Sequence, residues 1–339
     1  MNASVYFTRQ QARDPHLLVV GGGPAGSSFA LFALDYAQRA GIDLQVTIFE
    51  PRDFTRPGPW GCNMGAGLIP VRMLQHLAEI DVTVPPHVIR NHISSYTLHT
   101  AAGQIHLPQP DPVGDVIGVY RGNGPRNGPD WGTCISFDHF LLQAAQERGA
   151  QVIHERVTHI SLSPHTFVAT REGRYTGSLV VLATGVNSGG LETEGLDYQP
   201  PRRSKMAQVE LFLGEELVEE RLQGSVHIVL PQNNQLKFGT LVPKGPCINV
   251  SLLGGDLPSG SVERFLQLPE VRSVLPEGVQ NRACGCRPYI SVGAARPLYA
   301  DRFVAIGDAG ITRLYKNGIG TGLRTARRAA FTAINYGTT

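Results

Sequence analysis

Apolar positions in this chain come in short runs, each closed by glycine or by a charged residue. His16–Val20 is the first, compact enough for a strand buried on both faces. Gly21-Gly22-Gly23-Pro24-Ala25-Gly26 follows at once, and from 27 to 40 Phe29, Ala30, Ala33, Leu34 and Ala37 recur at helical spacing before Gly41 ends the pattern. Leu44, Val46 and Ile48 then alternate up to Phe49-Glu50. The order is strand, glycine turn, helix, strand, which is one βαβ unit.

The same rhythm returns twice. A helix is expected over 136–148, with Phe137, Phe140, Leu141, Ala144 and Ala145 on one face, Ser136 as N-cap and Gly149 as stop, and a strand over 178–183. Near the end, a strand over 303–306 runs into Gly307-Asp308, and a helix over 321–336 turns Leu323, Ala326, Ala330 and Ile334 inward. Between these parts the period changes. Segments 226–230, 235–242 and 248–253 read as antiparallel strands broken by proline-rich turns, 96–107 as a hairpin and 70–80 as a short helix. The pattern predicts an α/β fold in which a β-rich unit is inserted into a discontinuous βαβ domain.

Composition narrows this. With 39 Gly and 24 Pro in 339 residues, tight turns are frequent, and 42% hydrophobic residues suffice to fill a core. The apolar runs are far too short to span a bilayer, although peripheral membrane contact stays open. A net charge of +2 gives no reason to expect nucleic acid as a partner. The five basic residues after Ala309 (Arg313, Lys316, Arg324, Arg327 and Arg328), with no acid among them, face either solvent or an anionic partner. Five cysteines, an odd number in a chain this long, argue against a disulfide framework and for a reducing, cytoplasmic setting.

The glycine turn carries chemistry. In Gly21-x-Gly23-x-x-Gly26 the first glycine permits the turn, the second lets backbone approach a pyrophosphate, and the third lets helix and strand pack closely. Pro24 and Ala25 open the helix, whose N-terminus favours an anion. Glu50 ends the next strand, placed to accept from ribose hydroxyls, and Arg52 follows it into the cofactor-binding set. The far end of the chain distinguishes FAD from NAD. There Asp308 ends a strand and Gly318-Ile319-Gly320 opens the last helix, as a ribityl hydroxyl and a flavin pyrimidine edge require.

The pairing of VVGGGPAG with VAIGDAG and NGIGTGLRTA resembles the FAD-dependent oxidoreductases of the p-hydroxybenzoate hydroxylase and geranylgeranyl reductase superfamily. The resemblance covers 14–60, about 119–190 and 283–335. It implies a Rossmann-like FAD-binding domain formed by 1–75, 119–190 and 283–339, and an antiparallel-β substrate domain formed by 76–118 and 191–282. It also implies a cofactor-binding arginine, matched by Arg121, and a backbone contact to adenine, matched by Val157. Ala183-Thr184-Gly185 stands where a Gly-Ala-Asp-Gly motif is usual, without its acid, so the resemblance gives little support to NADPH binding there, and it implies Thr184 and Gly185 as cofactor contacts. The segment VHIVLPQNNQLKFGTLVPKG is most similar to the reductase branch.

The expected enzyme therefore binds FAD and takes electrons from NAD(P)H, as a transient reductant, or from an electron-donor protein. It then reduces a small apolar substrate. The alternatives are a monooxygenase and, in another class, a non-redox flavoprotein or an FAD-binding scaffold. No side chain stands out as a catalytic acid or base, and no histidine spacing indicates a metal. Cys62 sits in a glycine-rich loop as a redox residue or as a small filler. Cys284 and Cys286 form a CxC that serves as a dithiol or metal site, or as two small strand residues.

Overall fold

The computed structural model describes residues 15–58, 65–109, 115–186, 189–232, 236–255, 257–276, 279, 282–312 and 317–338. Its first layer is a six-stranded sheet in the order Tyr299–Ala300, Phe303–Ala305, Leu179–Leu182, His16–Val20, Gln45–Phe49, Gln151–Ile153. All neighbours run parallel except the first pair. Both faces are covered, which is why its strands read as unbroken apolar runs. Leu17 and Val19 face the helices Pro24–Ala40, Phe137–Glu147 and Gly318–Tyr336. Leu18 and Val20 face a small sheet of Arg174–Thr176, Phe167–Ala169, His159–Ser161 and Glu192–Glu194.

Two helices begin three residues earlier than the apolar period suggested. Pro24 supplies a preset φ at the first helical position, and Gly318 extends the last helix toward the sheet. Gly41 closes the first helix with φ +66°, its N–H turned back to Ala37 and Gln38. Ser136 caps Phe137–Glu147 by accepting from the His139 N–H.

The second layer is larger than the sequence indicated. Arg282–Cys286, Arg203–Phe212, Cys247–Gly254, Leu236–Lys244, Ser225–Val229, Ser95–Thr100 and Gly103–Pro108 pair in that order, and Tyr289–Ser291 extends the edge on Arg203–Phe212. The domain limits change accordingly. The boundary expected at 283 falls inside Arg282–Cys286, a strand whose cysteines and glycine give no apolar alternation. Glu192–Glu194, expected in the substrate unit, pairs in the small sheet behind the nucleotide-binding layer. Leu68–Pro70, Val116–Val119 and Ile89–Ile93 form a three-stranded sheet that joins residues assigned to both units.

The eight-stranded sheet has two unlike faces. On its back, Ala207, Val209, Leu211, Val250 and Leu252 pack with Phe265 and Val271 from the short helices Ser261–Leu266 and Pro269–Arg272. On its front, Gln208, Glu210, Lys244, Asn249 and Ser251 are polar and fully buried. No described helix is long and apolar enough to cross a membrane.

Candidate functional site

A cavity of about 620 Å³ lies between the two layers, well within the range of cofactor and ligand sites. The glycine turn forms one end. Gly21 adopts φ +111°, and its N–H donates to Phe49 O at 2.9 Å. A Cβ on Gly21 would come 2.5 Å from Ala183 O, and one on Gly26 would come 1.8 Å from Gly21 O. The first and third glycines are therefore dictated by the close approach of helix and strand.

Gly23 is extended and has a different reason to lack a side chain. A Cβ there would stand 3.3 Å from Arg121 Nη2. Arg121 is held by Asp138 in a bidentate pair, Nη2 to Oδ2 at 2.8 Å and Nε to Oδ1 at 3.2 Å. Asp138 is fully buried in the first turn of Phe137–Glu147, where the helix dipole favours its charge. Bare backbone, a helix N-terminus and a fixed guanidinium thus meet at one point, the chemistry that a pyrophosphate requires.

Glu50 is buried beside this turn. Its Oε2 accepts from the Gly22 N–H at 2.9 Å, and its Oε1 accepts from Arg52 N at 3.0 Å and Nε at 3.1 Å. The carboxylate therefore locks the glycine turn, and it retains acceptor capacity for a further donor.

Asp308 reaches the same cavity from the other end of the chain. It follows Gly307, which has φ +57° and where a Cβ would come 2.9 Å from Ala25 Cβ. Its carboxylate accepts from the Thr312 hydroxyl, and a Cβ on Gly318 would approach its Oδ2 at 2.9 Å. Asp308 thus lies beside the glycine start of the last helix.

Of the residues singled out in the sequence, Gly21, Gly23, Pro24, Ala25, Glu50 and Arg52 line the cavity. So do Arg121, Val157, Thr184, Gly185, Asp308, Gly318 and Ile319. Gly26 and Gly320 do not. Gly26 serves helix–strand packing, and Gly320 lies against the Asn317 side chain. Cys62 lies outside the described residues.

Of the opposite wall, the sequence singled out only Cys284 and Cys286. That wall includes Met206, Gln208, Cys284, Cys286, Arg287 and Tyr289 from the antiparallel sheet and its edge. The loop Gly65–Gly67 contributes as well, with Gly67 at φ +66°. Cys284 and Cys286 are strand residues and cavity residues at once, since alternation turns both to one face. Burial, with Cys284 nearby, pushes the Cys286 thiol up to about 12. The signal available in the sequence was the polar half of 206–211, where Met206, Gln208 and Glu210 alternate with Ala207, Val209 and Leu211.

A glycine cradle on a parallel sheet, joined to the distal aspartate and glycine-opened helix, defines an FAD-binding protein. A family model described as FAD dependent oxidoreductase matches residues 129–331, and the chain belongs to that family. A search of curated proteins gave no match. Among solved structures, the chain is similar to CmlS, a flavin-dependent halogenase, with TM-score 0.69 and 20% identity over 96% of this chain. It spans only 58% of the CmlS chain. A flavoprotein/dehydrogenase from Cytophaga hutchinsonii gives TM-score 0.65 and 17% identity, covering 95% of this chain and 78% of that one. 2-Methyl-3-hydroxypyridine-5-carboxylic acid oxygenase gives 0.64 and 13%, covering 96% and 85%. At these identities the likeness concerns the fold.

Proposed function

We propose that this chain is an oxygen-using flavoenzyme. With reducing equivalents from NAD(P)H or a donor protein, it inserts one oxygen atom of O2 into a small organic substrate and releases the other as water. FAD supplies the redox chemistry when bound. Gly21, Gly23, Pro24 and Ala25 at the helix N-terminus, together with Arg121, would hold its pyrophosphate. Glu50 and Arg52 serve its adenosine ribose, with Val157, Thr184 and Gly185 alongside. Asp308 would accept from the ribityl chain, and the backbone of Gly318 and Ile319 would serve the pyrimidine edge.

The observation that carries the reading is one continuous cavity with a phosphate cradle at one end and a wall of Met206, Gln208, Cys284, Cys286 and Tyr289 at the other. Among the described residues that wall holds no carboxylate, no histidine and no lysine, Arg287 is its one charged member, and burial keeps the Cys286 thiol protonated. The protein's task there is to orient the substrate and exclude water. Similarity in fold to a halogenase and an oxygenase supports the use of oxygen over the reduction of a carbon–carbon double bond. Turnover under labelled O2 tests the choice. Label in the product is the expected result, and one reductant consumed per product without oxygen would restore the reductase expectation.

A further inference from the structure

The polar front of the antiparallel sheet carries a row of hydrogen bonds that all run in one direction. At its deep end Lys244 and Glu210 are fully buried, with Lys244 Nζ 3.8 Å from Glu210 Oε1. Lys244 also donates to Gly65 O at 2.9 Å and stands 3.9 Å over the Tyr120 ring. A carboxylate can only accept. Asn249, 2.8 Å from Glu210 Oε1, must therefore present its Nδ2. Its Oδ1 then accepts the Ser251 hydroxyl proton at 2.6 Å. With that single proton given, Ser251 Oγ can only accept from Gln208 Nε2, at 2.8 Å.

Gln208 Oε1 is thereby turned toward Cys286, whose Sγ lies 3.8 Å away and whose protonated thiol donates weakly to it. The reversed amide would set two acceptors, Gln208 Oε1 and Ser251 Oγ, against each other in a buried site. Gln208 and Cys286 both line the cavity. Amide side chains are poor proton carriers, so the row transmits orientation rather than protons.

We propose that the ion pair Lys244–Glu210, acting through Asn249 and Ser251, fixes Gln208 Oε1 as a hydrogen-bond acceptor at the cavity wall, and that the site takes a substrate bearing an O–H or N–H donor. Gln208 is the specificity-determining residue, and Ser251, Asn249, Glu210 and Lys244 position it. The proposal rests on FAD and substrate sharing this cavity, and it replaces a wholly apolar substrate with one that carries a donor.

The test titrates the FAD-loaded protein with paired aromatic alcohols and methyl ethers, such as 2-naphthol and 2-methoxynaphthalene, and follows the flavin absorbance. Alcohols should bind about 10-fold more tightly than their ethers, the effect of one hydrogen bond to a buried acceptor. Gln208→Met should abolish the preference. Ser251→Ala, whose side chain lies outside the cavity lining, should reduce it by freeing the amide to turn. Ser251→Ala should keep wild-type affinity for FAD and for the ethers, and Gln208→Met should keep wild-type affinity for FAD. Ethers that bind as well as alcohols, the absence of alcohol binding, or a preference that survives Gln208→Met would overturn the proposal. Weakened FAD binding in Gln208→Met would overturn it too, since the row would then serve the cofactor. A protein that takes up no FAD would be recognised before any titration, and it would remove the flavin reading along with this one.

Discussion

The two large sheets solve the same problem, burying a cavity wall, in opposite ways. The six-stranded sheet is apolar on both faces, and its chemistry sits at strand ends, where Gly21, Glu50 and Asp308 meet helix termini. The eight-stranded sheet is apolar on its back alone. Its chemistry lies on the strand faces, in a buried row from Lys244 to Gln208. One half therefore concentrates function in a few backbone positions with no room for error. The other spreads it over side chains that depend on one another.

This contrast predicts the largest effects in the glycine turn. Gly26→Val should abolish FAD retention and lower the melting temperature by about 10 °C or more, because its Cβ would overlap Gly21 O. Gly23→Val should also lose FAD while keeping most of the stability, since the added carbon would meet only side-chain atoms, Arg121 Nη2 at 3.3 Å and Asp138 Oδ2 at 3.8 Å. Flavin absorbance after reconstitution, together with thermal melting, separates the two. A Gly23→Val protein with full FAD occupancy would put the phosphate site elsewhere.

The polar row comes next. Lys244→Met leaves the buried Glu210 carboxylate without its cation and should cost about 3–5 kcal/mol in urea unfolding. The double variant Lys244→Met with Glu210→Leu should recover most of that loss. Equal losses in the single and double variants would mean that the pair is not coupled.

These same features explain what could be read in advance. A βαβ unit with glycine punctuation is written locally, so Gly21 to Gly26, Glu50 and the Asp308–Gly318 pair were visible in the chain. The wall of Gln208, Cys284 and Cys286 depends on the register of Arg203–Phe212 against Arg282–Cys286, strands some 70 residues apart. Polar residues at alternate strand positions usually mean a solvated face, and only the packing of the two layers buries this one. Residues 283–286 were assigned to the FAD-binding unit for the same reason.

A smaller effect is expected at Asp308. Asp308→Ala should weaken FAD binding by about 1–3 kcal/mol, the loss of one charge-assisted hydrogen bond, read by titration of flavin fluorescence. An unchanged dissociation constant would leave Asp308 as a local partner of Thr312 alone.

The effect that should leave the cofactor untouched lies outside the cavity lining and tests whether the antiparallel sheet titrates on its own. His99 Nε2 and His227 Nδ1 are 2.9 Å apart on neighbouring parallel strands, both buried, with stacked rings. One ring must donate and the other accept, so double protonation breaks the contact. Burial, then the charge of His99, holds His227 down to about 4; burial also lowers His99, opposed by Glu270. The unfolded chain therefore binds protons between pH 6.5 and 4 that the folded chain refuses. Stability is complete above about 6.5 and falls as pH drops through this window, by at most about 1.4 kcal/mol per pH unit for one proton. Urea unfolding at pH 7.5 and at pH 5 should differ by roughly 2 kcal/mol from this source. His227→Phe should flatten that slope while leaving FAD affinity unchanged. A slope that persists in His227→Phe would assign the acid sensitivity to other groups and leave the His99–His227 contact as packing.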